Sequence, residues 1–327
     1  VVDDMESTRH RLIELLANSQ SSYISGQELS KKLNISRTAV WKHMKELEKD
    51  GYKIEAFPKK GYQITQFPDK LSSNTLLWGL HTNWLGKNII HKTKLNSTQI
   101  LGNQLAAEGE GHGTVIIADE QTNGRGRMER SWYSARDKGI WMSIILRPGL
   151  LPNQAPQLTL LTATVLADVL SQKNISVTIK WPNDILINGK KAAGILTEMQ
   201  AEQDQIKYVV LGIGLNLNQL QSEFPDSIKD KATSLRVETN KEWDRKELIH
   251  GILEHFDTVY DEYMESGFEN IRLKWVSYGY KIGEAVDIVT PKENWSATLV
   301  GIESDGALIV RNQDGSTEVL YSAEIKW

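Results

Sequence analysis

The chain has 327 residues, 40% of them hydrophobic and 24% charged, with a formal net charge of −4 and no cysteine. That length leaves room for two or three domains with sizeable cores. The lack of cysteine excludes disulfides, a thiol nucleophile and thiolate metal ligands, and no long apolar span or secretory signal appears, so a cytoplasmic protein is expected.

The first 66 residues carry the charge asymmetry. Between Ser21 and Tyr62 nine Lys/Arg stand against five acids, a local +4 that leaves −8 for the remainder. A basic patch on an acidic protein marks one surface for a polyanion. Leu12, Ile13, Leu15 and Leu16 share a helix face. Ser25-Gly-Gln-Glu28 has the form of a capping box and predicts a short helix ending near Leu33. After the Asn34-Ile35-Ser36 turn a third helix starts at Ser36, with Val40, Met44 and Leu47 inward and a stop at Asp50-Gly51. Tyr52–Phe57 and Gly61–Ile64 then read as two strands around Pro58-Lys59-Lys60. These proportions predict a winged helix-turn-helix. Its DNA-facing residues are Ser36, Arg37, Thr38, Trp41, Lys42 and Lys45 on the second helix of the motif, with Lys59 and Lys60 on the wing. The wing lysines suit phosphate, whereas Arg37 and Thr38 are better placed for base edges. A solvated helix face is the bland alternative.

Residues 67 to 275 form the second expected domain. Phe67-Pro68-Asp69 reads as a linker and Leu71–Leu80 as a short helix. Another helix begins at Ser97-Thr98-Gln99, with Leu101, Leu105 and Ala106 on one side. Strand-like runs follow at Thr114–Ala118, Gly139–Leu146, Val177–Lys180, Asp184–Ile187, Gly194–Met199 and Tyr208–Leu217, with helices over Gln157–Leu170 and Lys246–Met264. Hairpins outnumber strand–helix alternations, so the reading is α+β: a mixed or antiparallel sheet with helices on one face. Between the first two runs lies Ala118–Trp132, with the loop Gly124-Arg125-Gly126-Arg127-Met128-Glu129-Arg130. Glycine permits close backbone approach, and arginine offers a planar charged fork for carboxylate and phosphate oxygens. No P-loop or complete dinucleotide fingerprint occurs, and the scattered histidines make a metal site improbable. Residues 276 to 327 hold four or five short strands with Ser304-Asp305-Gly306 and Gln313-Asp314-Gly315 turns, the pattern of a small SH3-like barrel.

Four clusters recur in or beside strands: Gly124-Arg125-Gly126-Arg127, Lys180-Trp181-Pro182-Asn183-Asp184, Lys191-Ala-Ala-Gly194-Ile195-Leu196 and Gly212-Ile-Gly214-Leu-Asn216. In order and spacing they resemble the biotin–protein ligases, and the whole chain resembles the bifunctional form that doubles as a biotin operon repressor. The resemblance implies a class II-synthetase-like ligase domain between the winged helix and the C-terminal barrel. It implies ATP, with Mg2+ on the nucleotide, and biotin as substrates: biotinyl-5′-adenylate forms first, then biotin passes to a lysine of the biotin carboxyl carrier protein of acetyl-CoA carboxylase or a related carboxylase.

On the same resemblance, Arg125 and Arg127 match loop arginines that close over the adenylate, and Gly124 and Gly126 allow the approach. Lys191 matches the lysine that contacts the biotin carboxylate and phosphate oxygens. Ser97, Thr98 and Gln121 match partners of the ureido ring. Gly194, Ile195 and Leu196 match the floor under the thiophane ring. Trp132 matches an aromatic on adenine, Asn183 and Asn216 match nucleotide contacts, and Asp184 matches a carboxylate near the reacting centre. Some members extend the loop as Gly-Arg-Gly-Arg-Arg-Gly-Arg. Here Met128-Glu129 replaces an Arg-Gly pair, which leaves Arg130 less secure on the nucleotide than Arg127. The resemblance further implies a homodimer, formed on adenylate or DNA binding, on a two-fold operator. Three alternatives stand beside it: a ligase whose winged helix has no operator, a lipoate–protein ligase, and a repressor that senses a ligand without turnover.

Overall fold

Serines start three of the four helices described in the first compact unit, residues 1–80. Within it α1 is Val2–Ala17, α2 Gly26–Leu33 and α3 Arg37–Lys49, followed by strands β1 (Lys53–Phe57) and β2 (Gly61–Gln66) and helix α4 (Ser73–Leu77). Ser25 and Ser36 cap α2 and α3, each side chain accepting the backbone N–H three residues on at 3.1 Å. An orphan amide is thereby satisfied in the first turn. Asn34, in the left-handed region at φ 55°, ends α2 and sets the turn. Leu12, Ile13, Leu16, Leu29, Leu33, Val40, Met44, Leu47 and Tyr52 make the core. The computed structural model describes residues 2–17, 23–68, 70–290 and 293–326.

The expected linker is different in kind. Phe67 packs on this core, 5.6 Å from the Tyr52 ring and stacked on Trp78 at 4.9 Å, so the first unit continues past residue 66. Asp69 lies outside the described residues. The helix expected over Leu71–Leu80 is shorter, α4 alone, and Ser72 and Thr75 close a capping box at its start.

The second unit, residues 81–327, begins with β3 (Ile89–Lys92), α5 (Thr98–Ala107), β4 (Val115–Ala118), β5 (Gln121–Arg125), β6 (Ser131–Ser134) and β7 (Gly139–Leu146). It continues through α6 (Ala155–Gln172), β8 (Thr178–Lys180), β9 (Asp184–Ile187), β10 (Lys190–Glu202), β11 (Gln205–Asn216), α7 (Leu235–Thr239), α8 (Arg245–Ser266) and α9 (Glu269–Tyr278). Five strands close the chain: β12 (Ala285–Val289), β13 (Asn294–Ile302), β14 (Leu308–Arg311), β15 (Thr317–Leu320) and β16 (Glu324–Lys326). A mixed sheet of seven strands runs in the order β3-β4-β7-β11-β10-β9-β8 among the described residues, with β3 and β4 its parallel pair. The last five strands form an antiparallel sheet ordered β15-β14-β13-β12-β16, the small all-β module expected at the C-terminus.

Three features of the second unit depart from the sequence reading. Helices cover both faces of the seven-stranded sheet rather than one. Successive residues of a strand point to opposite faces. Glu198 of β10 accepts from Asn103 of α5 at 2.7 Å, while its neighbour Thr197 bonds Thr159 of α6, also at 2.7 Å. Next, the glycine-arginine loop begins and ends as β5 and β6, a two-stranded arm outside the main sheet. Its sequence, with two glycines and three arginines, carries no strand periodicity. Finally, α9 runs on past the expected limit at 275 to Tyr278, whose hydroxyl donates to Asp168 Oδ1 of α6 at 3.0 Å.

Candidate active site

The α5 face of the sheet opens into a cavity of about 580 Å³. Its floor is backbone. Gly194 of β10 and Gly214 of β11 are register partners at the sheet's centre, and the Trp132 side chain from β6 lies across both. A Cβ at Gly214 would fall 2.5 Å from Trp132 Nε1, and one at Gly194 would meet the same ring at 3.0 Å. Glycine is needed here for room rather than for conformation. The indole N–H is buried and finds no acceptor among the described residues, an omission that costs about 1–3 kcal/mol in a closed protein. Lys191 Nζ sits 5.1 Å from the centre of the same ring.

One end of the cavity is a polar network buried without charge. Ser97 caps α5 by accepting from Gln99 N at 3.2 Å. Thr98 donates to Gln121 Oε1 from both its backbone N–H (2.8 Å) and its hydroxyl (3.1 Å), and Gln121 Nε2 donates to Ser134 Oγ at 2.8 Å. Ser143 Oγ reaches Thr98 Oγ1 at 2.9 Å and Gln99 Oε1 at 3.1 Å. The helix cap and the hairpin arm together fix donors and acceptors where a neutral polar ring can be read.

The other end is cationic. Arg125, Arg127, Arg130, Lys180, Lys191 and Lys231 line it, against the carboxylates Asp184 and Glu324. Lys191 Nζ and Asp184 Oδ1 form an ion pair at 2.7 Å whose angle is not that of a hydrogen bond, and that oxygen has no hydrogen-bond donor among the described residues. Arg127 Nη1 donates to Asn183 Oδ1 at 3.3 Å, and Asn183 Nδ2 donates to Ile195 O at 2.8 Å, tying the arm's loop to the sheet. Burial pulls the Arg127 guanidinium and the Lys180 ammonium below their usual values, with Asp184 opposing the shift in both. Fixed cations exceed carboxylates in a partly dehydrated cleft, which suits a ligand carrying several negative charges.

The structure brings Ser97, Thr98, Gln121, Arg125, Gly126, Arg127, Arg130, Trp132, Asn183, Asp184, Lys191, Gly194, Ile195, Leu196 and Asn216 to this one cavity. Gly124 is the exception. It faces its own hairpin, where a Cβ would come within 2.4 Å of Trp132 O, so it shapes the arm and does not line the cavity. Asn216 has a different immediate task. Its Nδ2 donates to Thr233 O at 3.0 Å and its Oδ1 accepts from Gln219 at 3.1 Å, anchoring the segment that pairs with Lys191. Met128 and Glu129, where the loop departs from the longer pattern, both hold left-handed backbone at φ 52° and 58°. For side chains other than glycine that costs about 1–2 kcal/mol each.

Sequence reasoning missed Gln99, Ser143, Lys180 and Lys231, and the stretch Ser322–Ile325 of the C-terminal module. Gln99 stood in the quoted Ser-Thr-Gln run and Lys180 in the quoted Lys-Trp-Pro-Asn-Asp run. The others carry no local signal, since only the fold places them beside the cavity. Among the described residues no group of three or more His, Asp or Glu side chains is arranged to hold a metal. None of the described helices is long and apolar enough to cross a membrane.

In the first unit Ser36, Arg37, Thr38, Trp41, Lys42 and Lys45 all lie exposed along α3, and Lys59 and Lys60 are exposed at the wing tip. Trp41 keeps 54% of its surface in solvent. Lys45 is shared between that ring, at 6.0 Å, and Glu48, at 2.6 Å.

Comparison with known proteins agrees with this geometry. The biotin/lipoate A/B protein ligase family matches residues 91–216, an HTH domain 8–63, and the biotin protein ligase C terminal domain 281–326. The bifunctional ligase/repressor BirA of Bacillus spizizenii is 45% identical over 98% of this chain and 99% of its own length. The protein of the same description from Escherichia coli is 27% identical over 96% of this chain and 95% of its own. Among solved structures, the biotin protein ligase from Aquifex aeolicus in complex with biotin and ATP is 31% identical, with a TM-score of 0.63, covering 73% of this chain and 98% of that one.

Proposed function

We infer the activity from one premise: the chain belongs to the family of bifunctional biotin ligase/repressors. It is an ATP-dependent biotin–protein ligase with a DNA-binding repressor domain at its N-terminus. The observation that carries the catalytic reading is the two-ended cavity. A neutral hydrogen-bonding end faces a cationic end across a backbone floor, as a ligand with a polar ring and an anionic tail requires. In the first step a biotin carboxylate oxygen bonds to the α-phosphorus of ATP, and the bond from that phosphorus to the β-phosphate oxygen breaks, releasing pyrophosphate. Two anions must approach, so charge neutralisation and positioning do the catalysis.

In this reading Lys191 meets both the carboxylate and the α-phosphate oxygens, with Arg125, Arg127 and Arg130 on the phosphate side; their shared place in the cavity lining supports it. Thr98, Gln121 and Ser97 suit the ureido ring, Gly194, Ile195 and Leu196 the thiophane ring, and Asn183 and Trp132 the nucleotide. Trp132 needs an acceptor for its indole N–H or a move away from the floor glycines. Mg2+ carried by the nucleotide would screen its phosphate oxygens, leaving the protein's own cations to meet the remaining charge. In the second step a lysine nitrogen of a carrier domain bonds to the acyl carbon, AMP leaves, and the amine proton passes to a base. Asp184, within 2.7 Å of Lys191, suits orientation of that cation at least as well as proton acceptance. The acceptor is the biotin carboxyl carrier protein of a biotin-dependent carboxylase, and such chemistry belongs in the cytoplasm.

The regulatory half of the reading is a homodimer that forms when adenylate is bound and presents two copies of α3 to a two-fold operator. The division at residues 66 and 275 into winged helix, ligase and C-terminal module is kept as the functional partition. Pyrophosphate release that requires both biotin and ATP, followed by transfer of labelled biotin to a carrier domain, tests the ligase. Lipoate in place of biotin is expected to give no product. A gel shift on biotin-gene promoter DNA, with and without biotin and ATP, tests the repressor, and equal affinity in both conditions would refute adenylate control.

A further inference from the structure

We propose that Arg245, which lines no part of the cavity, is a positioning residue that holds the arginine-bearing arm over it. The proposal rests on the ligase reading above. The arm β5–β6 is not a strand of the main sheet. It leaves the sheet at Ala118, the end of β4, and rejoins it at Gly139, the start of β7. Arg125, Arg127, Arg130 and Trp132 all lie between those points. β5 is also bonded along residues 95–98 and Arg127 to Asn183, and the two feet set how the rest of the arm hangs from the sheet.

A single guanidinium ties both feet. Arg245 opens α8, and its side chain is 11% exposed. On the outgoing foot its Nη2 donates to Asp119 Oδ1 at 3.1 Å and approaches Ala118 O at 3.5 Å. On the returning foot its Nη1 donates to Asp137 Oδ1 at 2.8 Å and its Nε to Gly139 O at 3.1 Å. Two further contacts stiffen the junction. Asp137 N donates to Asp119 O across the feet at 3.0 Å, and His91 Nε2 lies 3.1 Å from Asp119 Oδ1. Asp137 holds left-handed backbone at φ 58°, a conformation that persists only where surrounding contacts over-determine it. Arginine suits this place because its planar fork spans four acceptors at fixed angles. Lysine has one compact ammonium and cannot bridge both feet.

A purely structural role predicts a loss of stability shared by every activity. A positioning role predicts a loss confined to the anionic end of the ligand and carried by the arm's own arginines. The test uses the full-length protein with Arg245→Lys, and Arg245→Gln as a second variant should the first fold poorly. Without any ligand, amide hydrogen exchange over residues 121–134 is expected to rise at least about tenfold in Arg245→Lys, with β7 and β11 unchanged. With ligands, the bound biotinyl-adenylate is expected to dissociate at least about tenfold faster. In an Arg127→Ala background the same substitution is expected to have less than about a twofold further effect, the non-additivity of residues acting as a unit. Wild-type-like exchange in the arm with wild-type-like adenylate retention would overturn the proposal, as would full additivity with Arg127→Ala. Failure of the unsubstituted protein to release pyrophosphate would instead overturn the ligase reading, and the exchange measurement would still decide the clamp.

Discussion

The winged helix and the cavity are built by opposite strategies. In the first unit one stretch from Ser25 to Lys60 contains the caps, the core period and every exposed cation of the proposed DNA surface. Neighbours in sequence are neighbours in space, because a helix repeats every 3.6 residues and a two-strand wing folds back on itself. The cavity instead draws on α5, the β5–β6 arm, β9, β10, β11, the segment before α7 and the last strand of the C-terminal module. Its residues span from Ser97 to Ile325. A locally encoded surface tolerates changes one residue at a time, whereas a site assembled from many elements fails when any one of them shifts.

Substitutions can break or sharpen this contrast. The largest effect is expected for Lys191→Ala, which removes the ammonium paired with Asp184 at the cationic end. Adenylate formation should fall by about 10²–10³, the loss typical of a group aimed at developing charge, while melting of the first unit stays unchanged. Pyrophosphate release followed beside circular dichroism checks both halves, and a near-normal rate would remove Lys191 from the mechanism. Leu29→Ala attacks the other unit. Leu29 is fully buried, so the cost should be about 2–5 kcal/mol, enough to abolish operator binding while adenylate formation persists. Simultaneous loss of adenylation would show the two units to be less independent than their separate cores imply.

Asp168 sharpens the contrast within the second unit. Burial pushes its carboxyl up, but His255, Lys274 and Tyr278 more than offset this and hold it below the usual carboxylate range. A depressed folded value means that the stabilisation is present above the unfolded value of about 3.9 and is lost as pH falls through the lower folded value. Asp168→Asn should therefore cost about 1–3 kcal/mol near pH 7, since the partly solvated Lys274 and His255 are not left buried. The gap between the two melting curves should close as acid is added. A gap independent of pH would mean that the cluster acts by packing alone. The smallest effect is expected at the wing. Lys60→Ala should lower the slope of log affinity against log salt by about one, with little change in sequence preference. An unchanged slope would move Lys60 off the phosphate backbone.

These expectations follow how legible each part was. The capping serines, the turn at Asn34 and the period of Val40, Met44 and Leu47 were readable because each acts within four residues of itself. The long strands β7 and β11 were readable because burial on both faces leaves continuous apolar runs. The β5–β6 arm was not: Gln121 to Arg125 has neither alternation nor apolar content, and its pairing with Ser131–Ser134 comes from closing a turn through left-handed Met128 and Glu129. Helices on both faces of the sheet were missed for a related reason, since one strand's alternation shows that two faces exist and not what covers them.

By itself the sequence determined the local order: which segments are helix or strand, where caps and turns fall, and which short runs concentrate glycine with cations. Tertiary structure alone decided that Gly194 and Gly214 lie side by side beneath Trp132, that Lys180 and Lys231 join Lys191 at one end, and that Arg245 grips both feet of the arm. The physical reason is range. Caps and periodicity act across a few bonds, whereas close approach of backbones and clustering of like charges cost free energy that only a whole packed sheet can offset.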